Sequence, residues 1–362
     1  MTLYDKLFFP VFKKIDAETA HDRTLVALEK AQNSTGGQSV LRRIAGNIPL
    51  SPVDAFGLTF PNVLGIAAGF DKDARVAAGL GMLGFGHVEV GTLTPWPQAG
   101  NPKPRVFRLP EDQAIINRMG FPNGGVVRAL PRLRALAAGE QPLAAGERPF
   151  ILGVSLGKQK QTPLAEADKD YLLVMHAVYP YADYLAINIS SPNTPGLREL
   201  QGGSYLAHLL GVLVAENGRL AQKHQIRPRP LLVKIAPDLT WAELDEILDA
   251  VQTAGVDGLI ATNTTLGRVG LQSAVQEDGG LSGRPLAARS TEIIAYIARQ
   301  TGSRLPIIGV GGVSTAADVQ AKLDAGAKLV QLYTGLVYGG PGIAGRILRH
   351  LAAGHQQTTN AA

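Results

Sequence analysis

The sequence predicts an α/β chain folded as a (β/α)8 barrel with a small helical subdomain at its N-terminus, and three observations carry that prediction. From about residue 63 onward, short β-branched apolar runs alternate with helical patterns, the mark of βαβ units and a parallel sheet. There are eight such runs, whereas an open doubly wound sheet more often has about five or six strands. Residues 1–47 carry helical rather than strand periodicity and so stand apart from the repeating part.

In that leading segment Leu3, Leu7, Phe8, Val11, Phe12 and Ile15, then Ala20, Leu25, Val26 and Leu28, recur at helical spacing, which predicts two short amphipathic helices. Asn33 to Gln38 reads as a polar, glycine-rich break, and Pro49 with Pro52 stiffens the approach to the barrel. The boundary is expected near residue 50, dividing the chain into 1–47 and 48–362. The eight predicted strands are Val63–Ala67, His87–Gly91, Ile151–Ser155, Tyr184–Ile189, Leu231–Ile235, Gly258–Thr262, Pro306–Val310 and Leu329–Tyr333. Outer helices are clearest at Trp241–Thr253, with Leu244, Ile247, Leu248 and Val251 on one face, and at Thr315–Ala325, which opens with Thr315 and Asp318 at capping-box spacing. Residues 92–149 form a long insertion after the second strand with two β-like stretches, Arg105–Leu109 and Ala114–Asn117. An insertion at a strand C-terminus is expected to roof the active site.

Composition narrows the functions. With 45% hydrophobic and 18% charged residues, the chain is globular rather than disordered. No window approaches the roughly 18 uninterrupted apolar residues of a spanning helix, and the start has no readable secretory signal. The absence of cysteine excludes disulfides, thiolate nucleophiles and Cys-based metal sites, so redox chemistry needs a borrowed cofactor. A net charge of +5 without any block of like charges gives little support to nucleic acid binding. The seven histidines, scattered without paired spacing, make a metal site improbable.

The polar residues gather at predicted strand ends. The first strand runs into Ala67-Ala68-Gly69-Phe70-Asp71-Lys72, a small-residue turn followed by an amine. The fourth closes in Asn188-Ile189-Ser190-Ser191-Pro192-Asn193-Thr194, whose amides and hydroxyls could grip a polar heterocycle. Lys234 interrupts an apolar strand, its amine directed into the barrel or into the helix layer, and a buried lysine demands an anionic partner. Thr262-Asn263-Thr264 ends the sixth strand in the same manner. Gly309-Val310-Gly311-Gly312-Val313-Ser314-Thr315, followed by a capped helix, and Tyr333-Thr334-Gly335 come after the seventh and eighth strands, where exposed backbone N–H groups form the phosphate site common in this barrel class. Neither a dinucleotide-binding G-x-G-x-x-G nor a Walker A loop is present.

Together AAGFDK at 67–72, VGTLTPWPQAGNPKPRVFRL at 90–109, INRMGFPN at 116–123, NISSPNTPGL at 188–197, ATNTT at 261–265, GGLSGRPL at 279–286, IIGVGGV at 307–313 and LYTGL at 332–336 resemble the dihydroorotate dehydrogenases, specifically the quinone-dependent class 2 branch. The resemblance implies FMN as cofactor, with contacts at Ala68, Gly69, Thr92, Asn188, Lys234, Thr262, Gly283, Gly312, Tyr333 and Thr334, and with Phe70, Asp71 and Lys72 in the same first turn. It implies dihydroorotate and orotate as ligands of Lys72, Asn117, Arg118, Met119, Gly120, Phe121, Asn188, Asn193, Asn263 and Thr264. Ser191 matches the catalytic base, and His21, Arg108 and Tyr333 match positions around a quinone head.

The resemblance further implies that residues 1–47 dock on lipid, with Phe8, Phe9, Val11 and Phe12 on the apolar face and Lys6, Lys13 and Lys14 for anionic headgroups. The implied location is peripheral, on the cytoplasmic face of the cell inner membrane, as a monomer. One position departs: Ser155 stands where relatives commonly have an asparagine that contacts FMN. A soluble acceptor such as fumarate or NAD is the nearest rival reading, and a flavin-free barrel with Lys234 as a Schiff-base amine is a rival from another class.

Overall fold

The computed structural model describes residues 4, 9–139, 148–194, 196–275 and 277–360. The expectations attached to Leu3, Lys6, Leu7 and Phe8 lie outside these residues. In chain order the structure has α1 (Phe9–Phe12), α2 (Ala17–Gln32), α3 (Thr35–Ala45), β1 (Val53–Ala55), β2 (Leu58–Phe60), β3 (Leu64–Ile66), α4 (Ala77–Met82), β4 (His87–Leu93), β5 (Val106–Leu109), β6 (Ala114–Asn117) and α5 (Gly125–Ala137). It continues with β7 (Ile151–Leu156), α6 (Ala167–Val178), β8 (Tyr184–Asn188), α7 (Gly203–His224), β9 (Leu231–Ile235), α8 (Trp241–Ala254), β10 (Gly258–Ala261), β11 (Gly280–Gly283), α9 (Ala287–Gln300), β12 (Ile307–Val310), α10 (Ala316–Asp324), β13 (Leu329–Leu332), α11 (Thr334–Gly339) and α12 (Ile343–Asn360).

Eight parallel strands close into a barrel in the order β3-β4-β7-β8-β9-β10-β12-β13, and every one of the eight predicted runs supplies a strand. Because the interior fills one face and the helix ring covers the other, the strands read as nearly continuous apolar runs. Thr240 with Glu243 and Thr315 with Asp318 form reciprocal capping boxes at the starts of α8 and α10. The long insertion contributes β5 and β6, which join β11 in an antiparallel sheet of order β11-β6-β5.

Three features differ from expectation. The supposed break at Asn33 to Gln38 is mostly the first turn of a third helix: Ser34 Oγ accepts the Gly37 N–H at 3.2 Å, and that cap outweighs the poor propensity of Gly36-Gly37. Helix α3 buries Leu41 and Ala45 against the rest of the fold, and Arg349 of α12 donates to the Ala45 carbonyl at 2.8 Å. Ahead of the first barrel strand lies the β1–β2 hairpin, whose Phe60 enters a cluster with the inward-facing Tyr184, Ala186, Leu232, Ile260 and Leu329. It stoppers the N-terminal end of the barrel. Phe9, expected to face lipid, packs its ring 5.3 Å from that of Tyr338.

Candidate active site

At the opposite, C-terminal end the strands open into one cavity of about 1130 Å³, counted out to its mouth. Its wall takes Ala68, Gly69 and Lys72 from the first turn, Thr92 from β4, Asn188, Ser191 and Asn193 from the fourth strand end, and Lys234 from β9. Thr262, Asn263, Thr264, Gly283, Gly312, Tyr333 and Thr334 complete it, and the insertion adds Asn117, Met119, Gly120 and Phe121 as a roof. Residues from Ala67 to Gly335 thus share one wall because parallel strands all end at the same side.

The amides in this wall orient one another. Asn188 Nδ2 donates to Thr92 Oγ1 at 2.8 Å, and Asn188 Oδ1 accepts from Ser190 Oγ at 3.2 Å and from Asn263 Nδ2 at 3.4 Å. Asn193 Nδ2 donates to Asn117 Oδ1 at 3.2 Å, which ties the fourth strand's loop to the roof. Such bonds fix which amide face is donor and which acceptor, the requirement for reading a flat heterocycle with several C=O and N–H groups. Ser191 Oγ accepts the Asn193 N–H at 3.2 Å. Three residues on, Thr194 Oγ1 is buried without a hydrogen-bond partner among the described residues.

Lys234 is directed into the barrel rather than the helix layer, and its anionic partner is Glu89, at 3.2 Å. Glu89 is fully buried and also accepts from Tyr184 OH and Gln331 Nε2, each at 3.1 Å. Sequence reasoning missed Glu89, although the rule applied to Lys234 points to it: it too is a charged residue in an apolar strand. Lys72 makes no hydrogen bond within the described structure; enclosure pulls its pKa down, while Glu18 and Asp22 of α2 push it back up.

An anion cradle sits at the last two strand ends. The Ser314 and Thr315 amides, expected to be free, both donate to Asp318 Oδ2. Gly312 and Val313 retain amides with no hydrogen bond in the described structure, and α11 has no side-chain cap over its first N–H groups. Gly312 has φ +73°, and a Cβ there would lie 2.4 Å from that of Ala287, so no larger residue fits this approach.

Four expected ligands do not reach the cavity wall. Asp71 turns back to accept the Arg75 and Val76 amides, each at 2.7 Å, and so builds the turn. Phe70 faces α2, its ring 5.0 Å from His21 and 6.1 Å from Tyr333. Arg118 points outward to Glu277 at 2.5 Å and Pro104 O at 2.9 Å. Ser155 is fully buried behind Thr92, their hydroxyls 2.9 Å apart, so the shorter serine side chain braces a wall residue.

His21 and Arg108 also lie off the cavity. Arg108 donates to the Ile15 carbonyl. His21, Phe70 and Tyr333 form an edge-to-face file from α2 to the cavity wall. Burial, helped by the Lys72 charge, holds the His21 pKa down at about 3, and enclosure pushes Tyr333 up to about 12. Both rings are neutral at pH 7. Among the described residues no three metal-ligating side chains cluster.

The family model described as dihydroorotate dehydrogenase matches residues 51–354. A protein of Acidithiobacillus ferrooxidans named dihydroorotate dehydrogenase (quinone) is 49% identical over 348 residues, covering 95% of this chain and 93% of that protein. Its namesake from Yersinia enterocolitica is 44% identical over 351 residues, covering 95% and 100%. The crystal structure of Eimeria tenella DHODH in complex with ferulenol superposes with a TM-score of 0.83 at 39% identity, covering 94% of this chain and 92% of that one.

Proposed function

The chain belongs to the dihydroorotate dehydrogenase family, and on that premise we propose that the barrel-mouth cavity holds FMN and oxidises (S)-dihydroorotate to orotate with Ser191 as the base. The protein is a flavin-dependent, quinone-linked dihydroorotate dehydrogenase of pyrimidine biosynthesis. The observation that carries the finer reading is the meeting, in one cavity, of an anion cradle, a lysine floor and a serine flanked by oriented amides.

FMN fits the residues present. The free amides at Gly312 and Val313 suit its phosphate, and Lys234 and Asn188 suit the polar edge of a flavin ring. When bound, FMN supplies the acceptor for the hydride that leaves C6 of dihydroorotate. The chain's own residues do the rest. Lys72, with no partner of its own, would pair with the substrate carboxylate, while Asn117, Asn193, Asn263 and Thr264 would read the ring's donors and acceptors.

Ser191 would take the proton from C5. A serine is a weak base unless its proton is drawn off; the Thr194 hydroxyl, three residues on and buried without a hydrogen-bond partner among the described residues, would pass that proton on through a water. Glu89 anchors the Lys234 side chain inside the barrel, where its amine would offset negative charge developing above it.

The quinone reading draws support from the His21–Phe70–Tyr333 file, which joins α2 to the cavity wall. A neutral His21 can donate a hydrogen bond to a quinone oxygen, and Arg108 reaches the Ile15 carbonyl just ahead of the same helix. We assign residues 1–47 to a membrane-associating, quinone-admitting subdomain and 48–362 to the catalytic barrel. The chain would be a monomer held peripherally at the cytoplasmic face of the inner membrane. No helix among the described residues is long and apolar enough to cross a bilayer.

Anaerobic stopped-flow tests both halves. Dihydroorotate should bleach the flavin absorbance, and a ubiquinone analogue should restore it where fumarate and NAD do not. Recovery on fumarate or NAD would remove the quinone assignment, and absence of bleaching would remove the substrate.

A further inference from the structure

Helix α2 belongs to the N-terminal segment, yet its first turn is wired to the cavity roof. Glu18 is buried and takes a two-pronged ion pair from the equally buried Arg105, with Nη2 at 2.6 Å from Oε1 and Nε at 3.1 Å from Oε2. The same guanidinium donates through Nη1 to the carbonyls of Ala99 at 2.6 Å and Asn101 at 2.8 Å. It therefore clamps the loop between β4 and β5 against α2. Gly100, at φ +77°, makes room: a Cβ there would lie 2.3 Å from Met119 O and 2.7 Å from Arg105 Nη1.

From the clamped loop, Asn101 Nδ2 donates to Arg118 O at 2.9 Å and to Asn193 O at 3.2 Å, and the Asn101 amide donates to Met119 O at 2.9 Å. Asn193 lies two residues past Ser191, and Met119 to Phe121 line the roof. The loop thus braces both segments that close over a heterocycle.

We infer that Glu18 is a positioning residue for dihydroorotate: through Arg105 and Asn101 it fixes the Asn193 loop and the 118–121 roof, so the N-terminal helical segment sets substrate affinity. This rests on the reading of the cavity as the dihydroorotate site. Lys72 adds to it, because Glu18 is the foremost charge opposing the fall in pKa that enclosure imposes on this amine. Quinone access and substrate binding are then not separable along the chain, since α2 carries both His21 and Glu18.

The test uses FMN-loaded full-length protein, with orotate binding followed by calorimetry and flavin reduction by stopped-flow. Glu18→Gln keeps the shape and removes the charge. It should weaken orotate binding about tenfold and raise the dihydroorotate KM by a similar factor, with the limiting rate of flavin reduction and the FMN content held within about twofold. Glu18→Asp should recover part of the affinity. Asn101→Ala removes the downstream link without stranding a buried charge, and it should weaken orotate in the same direction. The Glu18→Gln, Asn101→Ala double variant should then lose less than the sum of the two.

Unaltered orotate affinity in Asn101→Ala, or strict additivity in the double variant, overturns the relay. If Glu18→Gln does not fold, Glu18→Asp carries the cycle in its place. Wild-type protein that binds no orotate would instead overturn the parent reading of the cavity and leave no substrate site to position.

Discussion

The two ends of the barrel are built from the same eight strands and spend their interior residues in opposite ways. At the N-terminal end, the hairpin drives Phe60 and its apolar neighbours into the opening, and His87, edge-on to Phe60, is fully buried with neither ring nitrogen bonded among the described residues. At the C-terminal end, amides, hydroxyls and two lysines stand in the wall of an open cavity. Buried polar groups without full satisfaction lower stability by about 1–3 kcal/mol each, so the closed end stabilises a fold whose open end is arranged for binding. Chemistry and stability should therefore respond to different substitutions.

The largest effect expected is at the open end. Ser191→Ala should slow flavin reduction by dihydroorotate by about 10²–10⁴-fold, the range for loss of a positioned base, with FMN content and melting temperature close to wild type. Single-turnover reduction at the normal rate would remove Ser191 as the base and blur the division between the ends.

At the closed end, Phe60→Ala should destabilise the protein by about 3–5 kcal/mol, since the ring is wholly buried and the stoppered barrel has little room to collapse around the gap. Below the unfolding range kcat should stay near normal. A fall in kcat without a fall in stability would mean that the hairpin communicates with the cavity, and the two ends would no longer be independent.

The sequence exposes these ends unequally. The barrel strands are legible because each is an apolar run of its own, and the wall residues because Asn188, Lys234 and Gly312 sit at the ends of such runs. Partnership across the chain is not legible. Strand β11 pairs with β6 through residues such as Gly280 and Asn117, far apart in sequence, and its glycine-rich run has no strand pattern alone. Glu89 needs Lys234, and Glu18 needs Arg105, before either reads as more than a charge among apolar neighbours. The hairpin escaped notice because Val53–Phe60 is short and follows two prolines that read as linker. Phe70 and Asp71 share a motif with Lys72, yet the turn sends them elsewhere, a direction that adjacency in sequence does not specify.

The finest test of the comparison sets His87 against His21, since burial holds both at about 3 rather than the ordinary 6.5. For a base whose folded pKa is depressed, the folded state favours the neutral form. The corresponding stability is complete above pH 6.5 and is lost as pH falls toward 3. Each histidine should contribute a slope of up to about 1.4 kcal/mol per pH unit in that window. His87→Leu should flatten the fall in unfolding free energy between pH 6.5 and 5, above the carboxylate range, by one histidine's share while leaving quinone turnover intact. His21→Leu should flatten it equally but raise the quinone KM, because its ring lies in the file that ends at Tyr333. Equal slopes with unequal kinetics would separate a histidine buried for packing from one buried for function. An unflattened slope for His87→Leu would mean that its ring is not held neutral, and the closed end would then contain a bonded polar site of its own.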